Sequence, residues 1–136
     1  IGENGAGKST LMNIVGGVVQ ADSGSMTLAG QSYNPPKPSD ATKNGIAFIH
    51  QELNLFTNLS IAENIFIDSF PKRGLFIDKI KMQKRVAELL KSVGLNASPD
   101  TLVDNLSPGE RQLVEIVSAL NIDAKLIIFD EPTTSL

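Results

Sequence analysis

Cysteine is absent from this 136-residue chain. That excludes disulfide staples and a thiolate-held metal, and it fits a reducing compartment. Long apolar runs are missing too. Segments such as Leu126-Ile127-Ile128-Phe129 are far too short to cross a bilayer, and no signal-peptide pattern opens the chain. Nor is there a large excess of either charge. The formal net charge is −3, and no stretch is expected to gather Lys and Arg on one face, which argues against a nucleic-acid partner held by charge. What is present is 41% hydrophobic residues, enough for a globular core, in a length that suits one domain. The chain is expected to be soluble by itself, with a membrane partner left open.

Local signals place the elements. Lys8 to Val15 reads as a helix stopped by Gly16-Gly17. Ser25 to Ala29 reads as a strand between turn residues, and Ile46 to Ile49 as a short apolar strand. Asn34-Pro35-Pro36-Lys37-Pro38 reads as irregular, because proline fixes φ and removes a donor. Ser60-Ile61-Ala62-Glu63 is a capping box opening a short helix. Phe70 to Gly74 reads as a loop. Asp78 caps an amphipathic helix with Ile80, Val86, Leu89, Leu90 and Val93 at helical spacing, ended by Gly94. Ser107-Pro108-Gly109-Glu110 starts a second long helix, expected to bury Leu113, Val114, Ile116, Val117 and Leu120. Leu126 to Phe129 is expected to be a fully buried strand. Strand–loop–helix elements at both ends imply an α/β core with a helix-rich subdomain inserted in the middle.

The chemistry is concentrated in two places. Gly2-Glu3-Asn4-Gly5-Ala6-Gly7-Lys8-Ser9 matches G-x-x-x-x-G-K-[ST] without a gap. The glycines let backbone N–H groups wrap a phosphate, and the helix that follows adds the positive end of its dipole. Lys8 is expected to reach the β- and γ-phosphates of ATP, Ser9 to ligate Mg²⁺, and Thr10 to hold the α-phosphate. Second, Leu126-Ile127-Ile128-Phe129 runs into Asp130-Glu131. Alone, this reads equally as a core strand entering a polar turn at Pro132. Beside the phosphate loop it reads as a metal-holding Asp130 and a water-polarising Glu131. Only one residue precedes Gly2, whereas such a loop needs a strand ahead of it. The chain is therefore expected to be a segment of a longer one, its core incomplete at both termini.

The N-terminal loop, His50-Gln51-Glu52, Leu106-Ser107-Pro108-Gly109-Glu110-Arg111-Gln112 and Asp130-Glu131-Pro132-Thr133 together resemble, in order and approximate spacing, the motifs of an ABC transporter ATPase. The resemblance covers essentially the whole chain. It implies a P-loop NTPase core of the ABC type: residues 1–58 and 121–136 forming the α/β part, and about 59–120 a helical subdomain that carries the signature. It implies a nucleotide loop made by Gly2, Asn4, Gly5, Ala6, Gly7, Lys8, Ser9 and Thr10. Mg²⁺ would be held by Ser9, Gln51 and Asp130, with Glu131 as general base and Lys8 and Gln51 also serving catalysis. Gln51 would couple the site to a membrane subunit. Ser107 and Gly109 would complete the ATP site of an opposing ATPase half.

Within the signature, Pro108 and Glu110 depart from the family's usual Gly and Gln. Glu110 would repel a γ-phosphate unless its side chain folds back onto the helix cap. The stretches Gly45 to Leu55 and Asn58 to Phe66, with Gln112 to Ile116, are similar to the N-terminal ATPase half of bacterial monosaccharide importers. That implies transmembrane permease subunits, a periplasmic solute-binding protein, a peripheral cytoplasmic location and no nucleic acid. A non-transport ABC ATPase, ribosome-associated or of DNA-repair type, and a regulatory module without turnover stay open beside it. His50, the sole histidine, reads as a loop or packing residue.

Overall fold

The computed structural model describes residues 7–49, 54–67 and 70–129. In chain order the elements are α1 (Lys8–Val15), β1 (Met26–Leu28), β2 (Gln31–Tyr33), α2 (Pro38–Lys43), β3 (Ile46–Ile49), α3 (Ile61–Ile65), β4 (Lys72–Arg73), β5 (Phe76–Ile77), α4 (Lys79–Ser92), a 3-10 turn (Val103–Asn105), α5 (Pro108–Asn121) and β6 (Leu126–Phe129). The chain divides into two compact units. One comprises Ile1–Phe48 with Ala124–Ile128, the other Ile49–Asp123 with Phe129–Leu136.

In the first unit α1 ends in a Schellman motif. Val18 N–H donates to the Asn13 carbonyl at 2.8 Å and Gly17 N–H to that of Ile14 at 3.1 Å, with Gly17 left-handed at φ 73°. Both glycines are also needed for space. A Cβ on Gly16 would lie 2.6 Å from the Phe48 ring, and one on Gly17 would lie 2.6 Å from the Lys37 carbonyl oxygen. The Tyr33 hydroxyl donates to the Val15 carbonyl at 2.6 Å. Tyr33, Ala41 and Ile46 form the small core, with Val15, Met26, Leu28, Phe48 and Ile128 against it. The C-terminal end of α1 is thus fixed on every side that matters for its direction.

Two elements here escape the sequence reading. Ala29 and Gly30 both have positive φ, 50° and 78°. They join β1 to an antiparallel β2 with Leu28 opposite Gln31, the pattern of a two-residue I′ hairpin. The proline-rich stretch does not stay irregular: Pro38 takes the first position of α2, where a missing N–H costs nothing. β6 lies beside β3, and the Lys125 N–H donates to the Gly45 carbonyl at 2.8 Å where the two begin. β6 is not fully buried as expected. Leu126 and Phe129 are exposed, because β3 is its only sheet partner among the described residues.

The second unit packs α3, α4 and α5 around Ile61, Val86, Leu90, Val103, Val114 and Val117. Asp78 caps α4 by accepting the Lys81 N–H at 3.0 Å, and Gly94 stands left-handed beyond its end at φ 72°. Ile80, expected in the core, is 78% exposed, and Met82 is buried instead. The first turn of α4 therefore overhangs the core, and the apolar stripe begins two residues later. In α5, Val114 and Val117 are buried as expected, together with Gln112 and Ala119. Leu113, Ile116 and Leu120 are only partly buried. The expected loop at Phe70–Gly74 gives way to a small hairpin of β4 and β5, with Arg73 opposite Phe76. Its turn places Gly74, at φ 65°, at the first central position, where a II′ turn requires positive φ.

Candidate functional site

Gly7, Lys8, Ser9 and Thr10 form the cap and first turn of α1. Gly7 is left-handed, with φ 82° and ψ 13°, and no side chain caps the helix. The first intrahelical bond runs from the Leu11 N–H to the Gly7 carbonyl at 3.0 Å, so the N–H groups of the first turn have no partner within the helix. Among the described residues, a Cβ on Gly7 would meet nothing within 4 Å. Lys8 is half-buried, and Ser9 and Thr10 are exposed.

The charge at this helix start differs from that of the other described helices. α2, α3 and α5 carry Asp40, Glu63 and Glu110 in their first turns, and Asp78 caps α4. In each case a carboxylate lies near the positive end of the dipole. The first turn of α1 has no acidic residue and begins Lys8-Ser9-Thr10. Among the described residues no carboxylate stands at the positive end of this helix, and one ammonium group and two hydroxyls lie there, a donor set that a polyphosphate fits. Tyr33 is a supporting residue that the sequence reading missed. Burial pushes its phenol above the ordinary value, and its hydroxyl holds the far end of α1 through the Val15 carbonyl.

In the second unit, Ser107 and Gly109 share the start of α5. Ser107 caps it in a complete box. Its backbone N–H and its hydroxyl both donate to Glu110 Oε2, each at 2.8 Å, and its Oγ accepts the Glu110 N–H at 3.3 Å. Glu110 therefore folds back onto the cap. The Ser107 backbone bond, then its hydroxyl, holds the Glu110 carboxyl below the usual range. The Arg111 N–H is taken by the Ser107 carbonyl at 2.9 Å, and Pro108 has no N–H. The Gly109 N–H is the donor at this end that helix geometry does not satisfy. The Arg111 guanidinium fixes the approach to the cap. Its Nε donates to the Leu106 carbonyl at 3.0 Å and to that of Val103 at 3.1 Å, and it pairs with Asp104 at 3.6 Å.

The segment after Gln51 is tied to the same helix. The Asn54 N–H donates to Glu115 Oε1 on α5 at 3.0 Å. Buried Asn64 then fastens the next turn: Oδ1 accepts the Phe56 N–H at 2.7 Å, and Nδ2 donates to the Phe56 and Ser60 carbonyls. Glu115 and Asn64 were not singled out by sequence, where each is an ordinary polar residue on a helix.

The structure thus groups Gly7 with Lys8, Ser9 and Thr10, and Ser107 with Gly109. Gly2, Asn4, Gly5, Ala6, Gln51, Asp130 and Glu131 lie outside the described residues, as does His50.

A protein-family model described as ABC transporter matches residues 1–134. The ribose import ATP-binding protein RbsA of Caldanaerobacter subterraneus is 46% identical over the full chain, which covers 28% of that protein. The galactose/methyl galactoside import ATP-binding protein MglA of Treponema denticola is 40% identical over the full chain, covering 27% of it. The chain thus spans about a quarter of the length of these curated relatives. Among solved structures, the ADP conformation of an ATP-binding cassette of an ABC transporter aligns with a TM-score of 0.79 at 28% identity, over all of this chain and 57% of that one.

Proposed function

This chain belongs to the ABC transporter family, and from that premise we propose that it binds ATP·Mg at the start of α1 and, within a longer protein, hydrolyses ATP to drive import of a monosaccharide. The observation that carries the reading is the helix start at Gly7–Thr10, which has no carboxylate of its own and offers a lysine and two hydroxyls. The relatives, which are ribose and galactose import ATP-binding proteins, support the sugar.

ATP supplies the transferable phosphoryl group, and Mg²⁺ neutralises the charge that develops on it. The chain's own part is to bind and orient. In this reading the backbone of Gly2, Asn4, Gly5, Ala6 and Gly7 would wrap the phosphates. Lys8 would neutralise the outer two, Thr10 would hold the inner one, and Ser9, Gln51 and Asp130 would hold the metal. Glu131 takes a proton from the attacking water. The cap of α5 serves a second ATPase half: Ser107 and the free Gly109 N–H face the nucleotide held by that partner. One half alone then binds nucleotide and turns it over poorly, since positioning and charge stabilisation are shared between two chains or two halves of one. The Asn54–Glu115 bond gives a physical link between the Gln51 segment and the signature helix, along which a permease could sense the site. The remaining partners in this reading are transmembrane permease subunits and a periplasmic solute-binding protein, with the ATPase peripheral on the cytoplasmic face. Among the described residues no helix is long and apolar enough to cross a membrane.

The test is Glu131→Gln in the full-length protein assembled with its permease. ATP binding is retained and turnover falls about 10²–10⁴-fold, the usual worth of a general base. A variant that hydrolyses ATP normally overturns the assignment.

A further inference from the structure

The β4–β5 hairpin has no role in the nucleotide reading, and its surface departs from the rest of the chain. Leu75 at its tip is 97% exposed and Phe76 is 80% exposed, with Ile77 and Ile80 also outward. Leu75 in the turn and Phe76 at the start of β5 are thus largely uncovered among the described residues. Around them, between residues 70 and 84, stand Lys72, Arg73, Lys79, Lys81 and Lys84, all exposed. The one acid in that stretch is Asp78, whose carboxylate accepts the Lys81 backbone N–H.

The hairpin and the first turns of α4 carry these exposed cations in one short stretch, in a chain of net charge −3. The two classes of side chain are interleaved. Arg73 stands directly across from Phe76, and a surface hollow of about 440 Å³ is lined by Arg73, Phe76, Ile77, Asp78, Lys79 and Ile80. Glu63, held below its ordinary carboxyl value first by the Ser60 backbone N–H and then by its hydroxyl, takes only a minor contribution from Lys79.

We propose that the β4–β5 hairpin and the start of α4 dock on an anionic lipid bilayer, with Leu75 and Phe76 entering the headgroup–acyl boundary and the surrounding cations against lipid phosphates. The charge balance selects this occupant. Apolar side chains at a tip, ringed by Lys and Arg, match the two layers of a lipid surface: apolar chains beneath an anionic plane. The long basic side chains can keep their heads at the phosphates while the tip goes deeper. A nucleic acid would satisfy the cations and leave Leu75 and Ile80 unused. The inference deepens the proposed peripheral location by giving the ATPase a lipid contact of its own, and it does not depend on nucleotide.

The experiment is vesicle flotation of the full-length protein, without permease or nucleotide. It uses phosphatidylcholine vesicles with and without phosphatidylglycerol. The protein should float with the anionic vesicles, float far less with the neutral ones, and lose binding as salt is raised. Leu75→Ser with Phe76→Ser should lower partitioning about tenfold or more. Lys72→Gln and Arg73→Gln should each lower it about fivefold. Unchanged circular dichroism and thermal midpoint would show that these surface variants remain folded. No flotation of the wild type with anionic vesicles overturns the proposal. So does binding that is lost with the cations yet survives the Leu75 and Phe76 changes, since that marks a generic polyanion site. Neither result touches ATP binding, so failure here is distinguishable from failure of the ATPase reading.

Discussion

Glu110 Oε2 accepts two hydrogen bonds from Ser107, one from its backbone N–H and one from its hydroxyl, both 2.8 Å long. The carboxylate that stands where the family usually has glutamine is therefore turned toward its own helix cap. It also holds the Ser107 hydroxyl proton, which a phosphate on the opposing half would need. Glu110→Gln keeps an acceptor for the cap and removes the charge. ATP-dependent association of the full-length protein should tighten severalfold, measured by size-exclusion chromatography with light scattering. Weaker association would contradict this reading of the signature.

Ser107→Arg places a large cation where the partner's nucleotide is proposed to sit. Equilibrium binding of ATP to the unassociated protein should be unchanged, while ATP-dependent association is lost. Association that survives would rule out the trans arrangement.

Acid should release two helix starts together. Glu63 and Glu110 are both held below their ordinary value of 4.5, each chiefly by the backbone N–H of its capping serine. A carboxyl lowered by folding contributes stability that is complete above its unfolded value. That contribution is lost as the pH falls through the lower folded value. Thermal midpoints measured from pH 6 to pH 3 should therefore decline more steeply below about 4.5 in the wild type than in a Glu63→Gln, Glu110→Gln double variant. Parallel profiles would show that the boxes do not titrate with folding.

Core position and helical spacing can be separated at two isoleucines. Ile61 is fully buried among α3, α4 and α5, and Ile61→Ala should destabilise by about 2–5 kcal/mol. Ile80 shares the apolar periodicity of α4 but lies outside its core, and Ile80→Ala should change stability by less than about 0.5 kcal/mol. Urea unfolding distinguishes them. Equal losses would place Ile80 in the core after all.

These contrasts mark how far the sequence could be read. α1, β3, α3 and the two long helices were legible because their signals are local. Ser60 with Glu63, Asp78, Ser107-Pro108 with Glu110, and the Gly16-Gly17 stop each act within one turn. β2, α2, β4 and β5 were not, because they are short and carry neither a capping box nor a continuous apolar run. The Pro38 that opens α2 also looks like a breaker until its position in the first turn is known. Ile80 misled because spacing reports a helix face and cannot say where along the helix the core begins. The Tyr33–Val15 and Asn54–Glu115 bonds join residues 18 and 61 positions apart, which no local pattern announces. The nucleotide loop was legible as a motif; what the structure adds is the contrast between the start of α1 and the carboxylate-bearing starts of the other described helices.

The most direct measurement is calorimetric titration of the full-length protein with ATP·Mg, for the wild type and for Lys8→Ala. The wild type should bind. The variant should lose about 1.5–3 kcal/mol, the worth of a charge-assisted hydrogen bond. Equal affinity in the two proteins, or no affinity in the wild type, would contradict the placement of the phosphates at the start of α1.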